Sequence, residues 1–228
     1  MDNIFDRTIG LFGQENFDKL KDKTIAIIGL GGVGGTAFEA LLRTGVKNFV
    51  ICDFDKVDAT NLNRQILYTY EDIGKSKVEC ATLRAKAINP EVNVIGLEAK
   101  MDEESVTSLA NLKIDFLVDA IDDVNAKILL AKFAQDNNIP FLMSLGMACR
   151  MKVEDVTITK LNRTTNDPLA KKIRYEAKKA GLDISKFEVV FSKEPRMTEG
   201  VKLNSVMFAP SAAGLNIASY VVSYFIYK

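Results

Sequence analysis

Seven side chains suited to handling phosphate follow one glycine-rich stretch: Asp53, Asp55, Asn61, Arg64, Gln65, Lys77 and Asp122. The stretch itself reads Gly29-Leu30-Gly31-Gly32-Val33-Gly34. Arg64 and Lys77 can neutralise phosphate oxygens, and Asp122 can hold a Mg²⁺ ion that bridges them. Glycines Gly29, Gly31, Gly32 and Gly34 match G-x-G-x-x-G, a pattern that lets backbone N–H groups approach a phosphate at a helix N-terminus. Asp53 stands 19 residues after Gly34, where an acid that binds ribose hydroxyls is expected. Histidine is absent from all 228 residues. That excludes a Ser-His-Asp triad, a Cys-His dyad, a histidine base and histidine-ligated zinc. Catalysis must therefore run on carboxylates, Lys, Arg, Cys, backbone amides or a reactive cosubstrate.

These groups need elements to hold them. TIAIIG (24–29) is a β-rich run ending in glycine, 32–44 reads as a helix closed by Gly45, and NFVICD (48–53) is a second strand. A helix over 75–88 stops at Asn89-Pro90. NVIGLEA (93–99) and IDFLVDA (114–120) are strands, a helix runs to about Asn138, and FLMSL (141–145) follows Pro140. Continuous apolar strands alternating with helices predict a parallel sheet covered on both faces. After residue 150, VTITK (156–160) and FEVVFS (187–192) read as strands. They flank a helix opened by Asp167-Pro168 and closed by Gly181. No linker separates the parts. The expectation is one α/β domain over 1–228, a Rossmann-like, doubly wound, mainly parallel sheet. Residues 1–150 would form its nucleotide part and 151–228 a C-terminal α/β extension.

By the glycine motif alone, an NAD-dependent dehydrogenase is the default reading. The later residues argue otherwise, because a nicotinamide pocket has no use for Arg64 and Lys77 aimed past the adenosine. Each has an ordinary reading too: Lys77 as a solvated lysine at a helix start, Asp122 as an N-cap, Asn61 and Gln65 as turn residues. Their order at successive strand ends favours a triphosphate.

GLGGVG, DFDxV, NLNRQ, IGKSKVE, INP and DAIDD, in this order, resemble the adenylating superfamily of ubiquitin-activating-type enzymes. The resemblance implies that ATP and Mg²⁺ are used to turn a carboxylate into an acyl-adenylate. It implies Gly31 and Gly32 along the phosphates, Asp53 on the ribose with Asp55 beside it, and Asn61, Arg64, Gln65 and Lys77 on the triphosphate. Asp122 would hold the metal, and Arg7 would reach the γ-phosphate of ATP in a partner subunit. A homodimer follows from the same resemblance. A monovalent cation and a sulfur-relay partner protein are also family features, and no residue here locates either.

The second half is similar to the tRNA threonylcarbamoyladenosine dehydratase family. The matching stretches are Ser144-Leu145-Gly146-Met147, the basic run after Asp167-Pro168-Leu169-Ala170, Val190-Phe191-Ser192-Lys193-Glu194, and the apolar run to residue 227. Leu203-Asn204-Ser205 departs from a family pattern that often has glycine before serine. This resemblance implies ATP-dependent cyclising dehydration of a modified adenosine in a tRNA anticodon loop. The alternative is an activating enzyme for a ubiquitin-like or sulfur-carrier protein, but its usual CxxC zinc pairs are absent. A noncatalytic nucleotide-binding scaffold is a third reading, and the intact Arg64, Lys77 and Asp122 oppose it.

Charge and cysteines add detail. Thirty basic and thirty acidic residues give a net charge of zero, against binding to nucleic acid by bulk charge. Yet residues 160–179 hold seven basic and two acidic residues. Lys171, Lys172, Arg174 and Lys178 are candidate RNA contacts, or else one solvated helix face. Cys52, Cys80 and Cys149 are widely spaced, which reads as a reduced, cytoplasmic chain. Cys149 is read as a small buried cysteine rather than a transfer nucleophile activated by Arg150. Residues 205–227 carry no charge over 23 positions. Pro210, Asn216 and several serines favour a buried or dimer-facing helix over a membrane span.

Overall fold

The structure, a computed structural model, describes residues 4–198 and 204–227. Leu203, part of the departure noted above, lies outside the described residues. Two short helices open the chain, α1 (Asp6–Phe12) and α2 (Gln14–Lys21), neither of which carries a clear periodic signal. Strand β1 (Thr24–Ile28) then leads into helix α3 (Gly32–Thr44). Gly45 closes α3 at φ +113°, the left-handed conformation that glycine adopts without strain. Next come β2 (Asn48–Cys52), α4 (Lys77–Ile88), β3 (Asn93–Leu97), α5 (Glu103–Leu109) and β4 (Phe116–Asp119). Then follow α6 (Val124–Asp136), β5 (Phe141–Ser144), β6 (Val156–Lys160), α7 (Pro168–Lys179), β7 (Glu188–Ser192) and α8 (Phe208–Tyr227).

One seven-stranded sheet runs in the order β3-β2-β1-β4-β5-β7-β6. Every neighbouring pair is parallel except β6–β7, the antiparallel edge. The fold is therefore α/β with a doubly wound core, and the extension continues the same sheet. Strand β3 stops at Leu97, two residues short of the sequence expectation, because its pairing with β2 ends at Cys52.

Alternate side chains of the central strands feed two layers. Ile25, Ile27, Phe49, Ile51 and Phe116 pack under α3, α4 and α8. Ala26, Ile28, Val50 and Leu117 pack under α5 and α6. Met143, Val189 and Phe191 form a smaller core with α7. The uncharged stretch near the end is α8, and it lies against α3. A Cβ on Gly214 would stand 2.6 Å from the Val33 carbonyl oxygen, so the two backbones touch only because that residue is glycine. Among the described residues no helix is long and apolar enough to cross a membrane.

Candidate active site

Strand order reverses between β1 and β4, and a parallel sheet opens a crevice at the carboxyl ends of its strands at such a point. A cavity of about 720 Å³ lies there. Gly29, Gly31, Gly32, Asp53, Asp55, Asn61, Arg64, Gln65, Lys77 and Asp122 all line it.

The loop after β1 is fixed from several sides. Gly29 has φ +95°, and a Cβ there would meet the Ala120 carbonyl oxygen at 2.8 Å. Leu30 is held at both backbone groups. Its N–H donates to Asp53 Oδ2 at 2.7 Å, and its carbonyl accepts from the buried Tyr68 hydroxyl at 2.9 Å. Burial, followed by the Asp53 carboxylate, pushes the Tyr68 phenol well above its ordinary range, so it remains a donor. A Cβ on Gly32 would face the Arg64 carbonyl oxygen at 3.0 Å and Pro210 Cβ at 3.1 Å. The lack of a side chain at Gly31, with only Gln65 Nε2 nearby at 3.9 Å, leaves the backbone open to a ligand. Gly34 does not line the cavity. A Cβ there would lie 1.9 Å from the Gly29 carbonyl oxygen, so its part is to let helix α3 start against the loop.

Lys77 is not a solvated lysine. It is 5% exposed and donates to Asp55 Oδ2 at 2.9 Å, with Asp53 Oδ2 3.8 Å away. Ser76, which caps α4 by accepting from the Glu79 N–H, sets its position. Arg64 lies half-buried, with Nη1 donating to the Thr60 carbonyl and to Asn63 Oδ1. Asn61 closes a short turn by accepting from the Asp58 N–H. Gln65 is buried, and its Oε1 has no partner among the described residues, a gap that a bound polar group would fill.

Asp122 is exposed at the mouth and does not cap the next helix. The neighbouring Asp123 does, accepting from the Ala126 N–H at 2.9 Å. Asp122 is thus available to a cation. Among the described residues no group of three potential metal ligands exists. Mg²⁺ takes one or two protein carboxylates and completes its shell with phosphate oxygens and water, and Asp122 could supply one such carboxylate.

Several residues under this site escape a reading by motif. Asp119 and Lys127 form a fully buried pair at 2.9 Å, and Lys127 also donates to the Ser144 carbonyl at 2.7 Å. Burial pushes the Asp119 carboxyl up, against the pull of the Lys127 ammonium. The pair ties β4, α6 and β5 together below the loop that carries Asp122. A lysine on the apolar face of α6 was the available signal.

The far wall of the cavity comes from the loop after β5, with Leu145, Gly146 and Met147, and from the extension, with Pro168, Lys172 and Arg196. Arg150 braces it. This buried side chain donates to the carbonyls of Gly146 and Asn166, and it faces Asp167 Oδ2 at 3.4 Å. It is therefore committed to Asp167 rather than to activating Cys149. Glu194 accepts the N–H groups of Met151 and Lys152, both at 2.8 Å. Cys149 is buried, with φ +59°, and lies outside the lining. Burial also pushes the Cys52 thiol up to about 11, leaving it inert at neutral pH. Of the candidate RNA contacts, Lys172 lines the main cavity, Lys171 and Arg174 line a second one, and Lys178 lines neither. Arg7 is exposed on α1 and is not in the lining.

Comparison with known proteins agrees with this fold. The ThiF family matches residues 5–200. The tRNA threonylcarbamoyladenosine dehydratase of Bacillus subtilis is 34% identical over 96% of this chain and 92% of its own length. That of Escherichia coli is 33% identical over 76% of this chain and 65% of its own. The crystal structure of the Escherichia coli tRNA N6-threonylcarbamoyladenosine dehydratase in complex with ATP superposes with a TM-score of 0.92. It is 28% identical and covers 98% of this chain and 93% of that one.

Proposed function

The chain belongs to the ThiF family, and we propose that it is an ATP-dependent tRNA threonylcarbamoyladenosine dehydratase. The observation that carries this reading is the cavity at the β1/β4 reversal, where phosphate-type residues meet a second wall built by the extension. Relatives that carry the dehydratase name match nearly the whole chain, extension included.

ATP enters as co-substrate. The open backbone of Gly31 and Gly32 would lie along its phosphates, and Asp53 and Asp55 beside the ribose. Asn61, Arg64, Gln65 and Lys77 would hold the triphosphate, and Asp122 would hold Mg²⁺, which would supply charge neutralisation. The threonyl carboxylate of the modified adenosine attacks the α-phosphate, an acyl-adenylate forms, and pyrophosphate leaves. The carbamoyl group of the same side chain then closes onto the activated carbonyl and expels AMP. The protein's work is positioning and charge neutralisation, which requires no imidazole. Residues 1–228 act as a single unit, because the extension supplies the wall that faces the nucleotide. Arg7 is free to serve a partner's site in a homodimer.

The test is mass spectrometry of nucleosides from threonylcarbamoyladenosine-containing tRNA incubated with protein, ATP and Mg²⁺. A product lighter by one water supports the reading. ATP–pyrophosphate exchange driven by a small carrier protein, with no such product, would replace it by the activating-enzyme reading.

A further inference from the structure

A second cavity of about 700 Å³ opens beside the first, lined by Lys171, Arg174 and Arg196 together with Asn166, Asp167 and Pro168. Three cations converge on it. Its one carboxylate adds no open negative charge. Asp167 Oδ1 accepts the N–H groups of Leu169 and Ala170, and Oδ2 faces Arg150. Some surface lysines pair with acids, as in Lys19–Glu15, Lys21–Asp18 and Lys47–Glu91; others, such as Lys113, have no acidic partner among the described residues, whereas here three unpaired cations share one concave space. Lys171, Arg174 and Arg196 have no acidic partner among the described residues. Like charges gathered in a concave space repel one another, and an anionic ligand relieves that.

Two features give the ligand a shape. Arg174 is pre-ordered: its Nη1 is tied to Thr164, and its Nε and Nη2 make no hydrogen bond among the described residues. Arg196 and Pro168 line both cavities, so an anion held here lies next to the reacting groups.

We propose that this second cavity seats a backbone phosphodiester of the RNA strand beside the target nucleotide, with Arg196 at the seam and Lys171 and Arg174 behind it. The inference rests on the dehydratase reading for the identity of the strand. It divides the basic helix into a working end at Lys171–Arg174 and a solvated end at Lys178.

The test uses Arg196→Glu and Lys171→Glu, with Lys113→Glu as a charge control. Lys113 is exposed at the amino end of β4, away from both cavities. Threonylcarbamoyladenosine-containing tRNA is titrated at saturating ATP. Binding of a labelled anticodon stem-loop RNA is followed by anisotropy across a salt series. Each site reversal should raise the tRNA KM and the RNA Kd about tenfold or more. Each should also lower the slope of log Kd against log salt by about one, the signature of a lost phosphate contact. The KM for ATP of Lys171→Glu and the behaviour of Lys113→Glu should stay near wild type. Unchanged RNA binding and salt slope in both variants would overturn the proposal, even while the wild type dehydrates its substrate. Tighter competition by a polyglutamate peptide than by RNA would overturn it in favour of an acidic protein tail. If the wild type makes no dehydrated nucleoside, the dehydratase reading fails, and the stem-loop measurements still decide whether the cavity holds RNA.

Discussion

The two walls of the main cavity are built by opposite means. The nucleotide wall is shaped by backbone at close approach, with phosphate-type side chains set around it: glycines, helix starts and strand ends, with Leu30 held at its N–H by Asp53 and at its carbonyl by Tyr68. The opposite wall, proposed above to face RNA, is held by side-chain braces: Arg150, Asp167 and Glu194 staple loops from three stretches of sequence. A phosphate group has one shape in every ATP, and a fixed backbone fits it. The braced wall carries no comparable motif.

The sharpest way to break this contrast is to remove the brace. Arg150→Met leaves Asp167 buried without its charge partner, a change that costs about 3–5 kcal/mol. Urea unfolding should show that loss, while the folded fraction keeps its ATP affinity. An unchanged midpoint would show that the braced wall does not depend on Arg150. On the other wall, Arg64→Ala and Asp122→Ala should each lower the rate of dehydration about 10²–10³-fold, as loss of one preorganised charge partner does. Near-wild-type turnover in either would remove that residue from the site. Tyr68→Phe takes away the donor to the Leu30 carbonyl without opening the core. It should raise the KM for ATP about tenfold, the effect of one buried hydrogen bond, with a smaller change in kcat. A KM for ATP that does not move would mean that Asp53 alone holds the loop. Smallest of all, Cys149→Ser should keep its activity. Loss of turnover without loss of stability would bring a thioester step into the braced wall.

The same contrast explains what could be read from the sequence. Strands β1, β2 and β4, helix α3 with its Gly45 stop, and helix α7 between Pro168 and Gly181 follow from local signals: apolar runs, a left-handed glycine, a proline at the first turn. The glycine loop and Asp53 stand out by their strand-turn-helix spacing, and Arg64, Lys77 and Asp122 by their charge at successive strand ends and by motif resemblance; the structure brings all of them to one cavity. Tyr68, Lys127, Arg150 and Arg196 do not stand out. Tyr68 reaches Leu30, 38 residues away, and Lys127 and Arg150 reach Ser144 and Asp167, each 17 residues away; Arg196 carries no motif, and tyrosine, lysine and arginine are common everywhere. Helices α1, α2 and α5 have only seven or eight residues, too few turns for a periodic pattern to stand out. Asp123 rather than Asp122 proved to be the cap, a one-residue distinction that adjacent aspartates conceal.

The meeting of Gly32 with Pro210, and of Gly214 with Val33, has a consequence for the life of the chain. A ribosome releases β1 and the glycine loop early, yet the helix that closes against them is synthesised after every strand of the sheet. Contacts of such long range close slowly, because the intervening chain must first be ordered. A nascent or truncated chain would therefore carry the nucleotide motif without a finished cradle. Because Pro210 of that last helix also lines the cavity, binding of ATP would favour molecules in which the helix has docked.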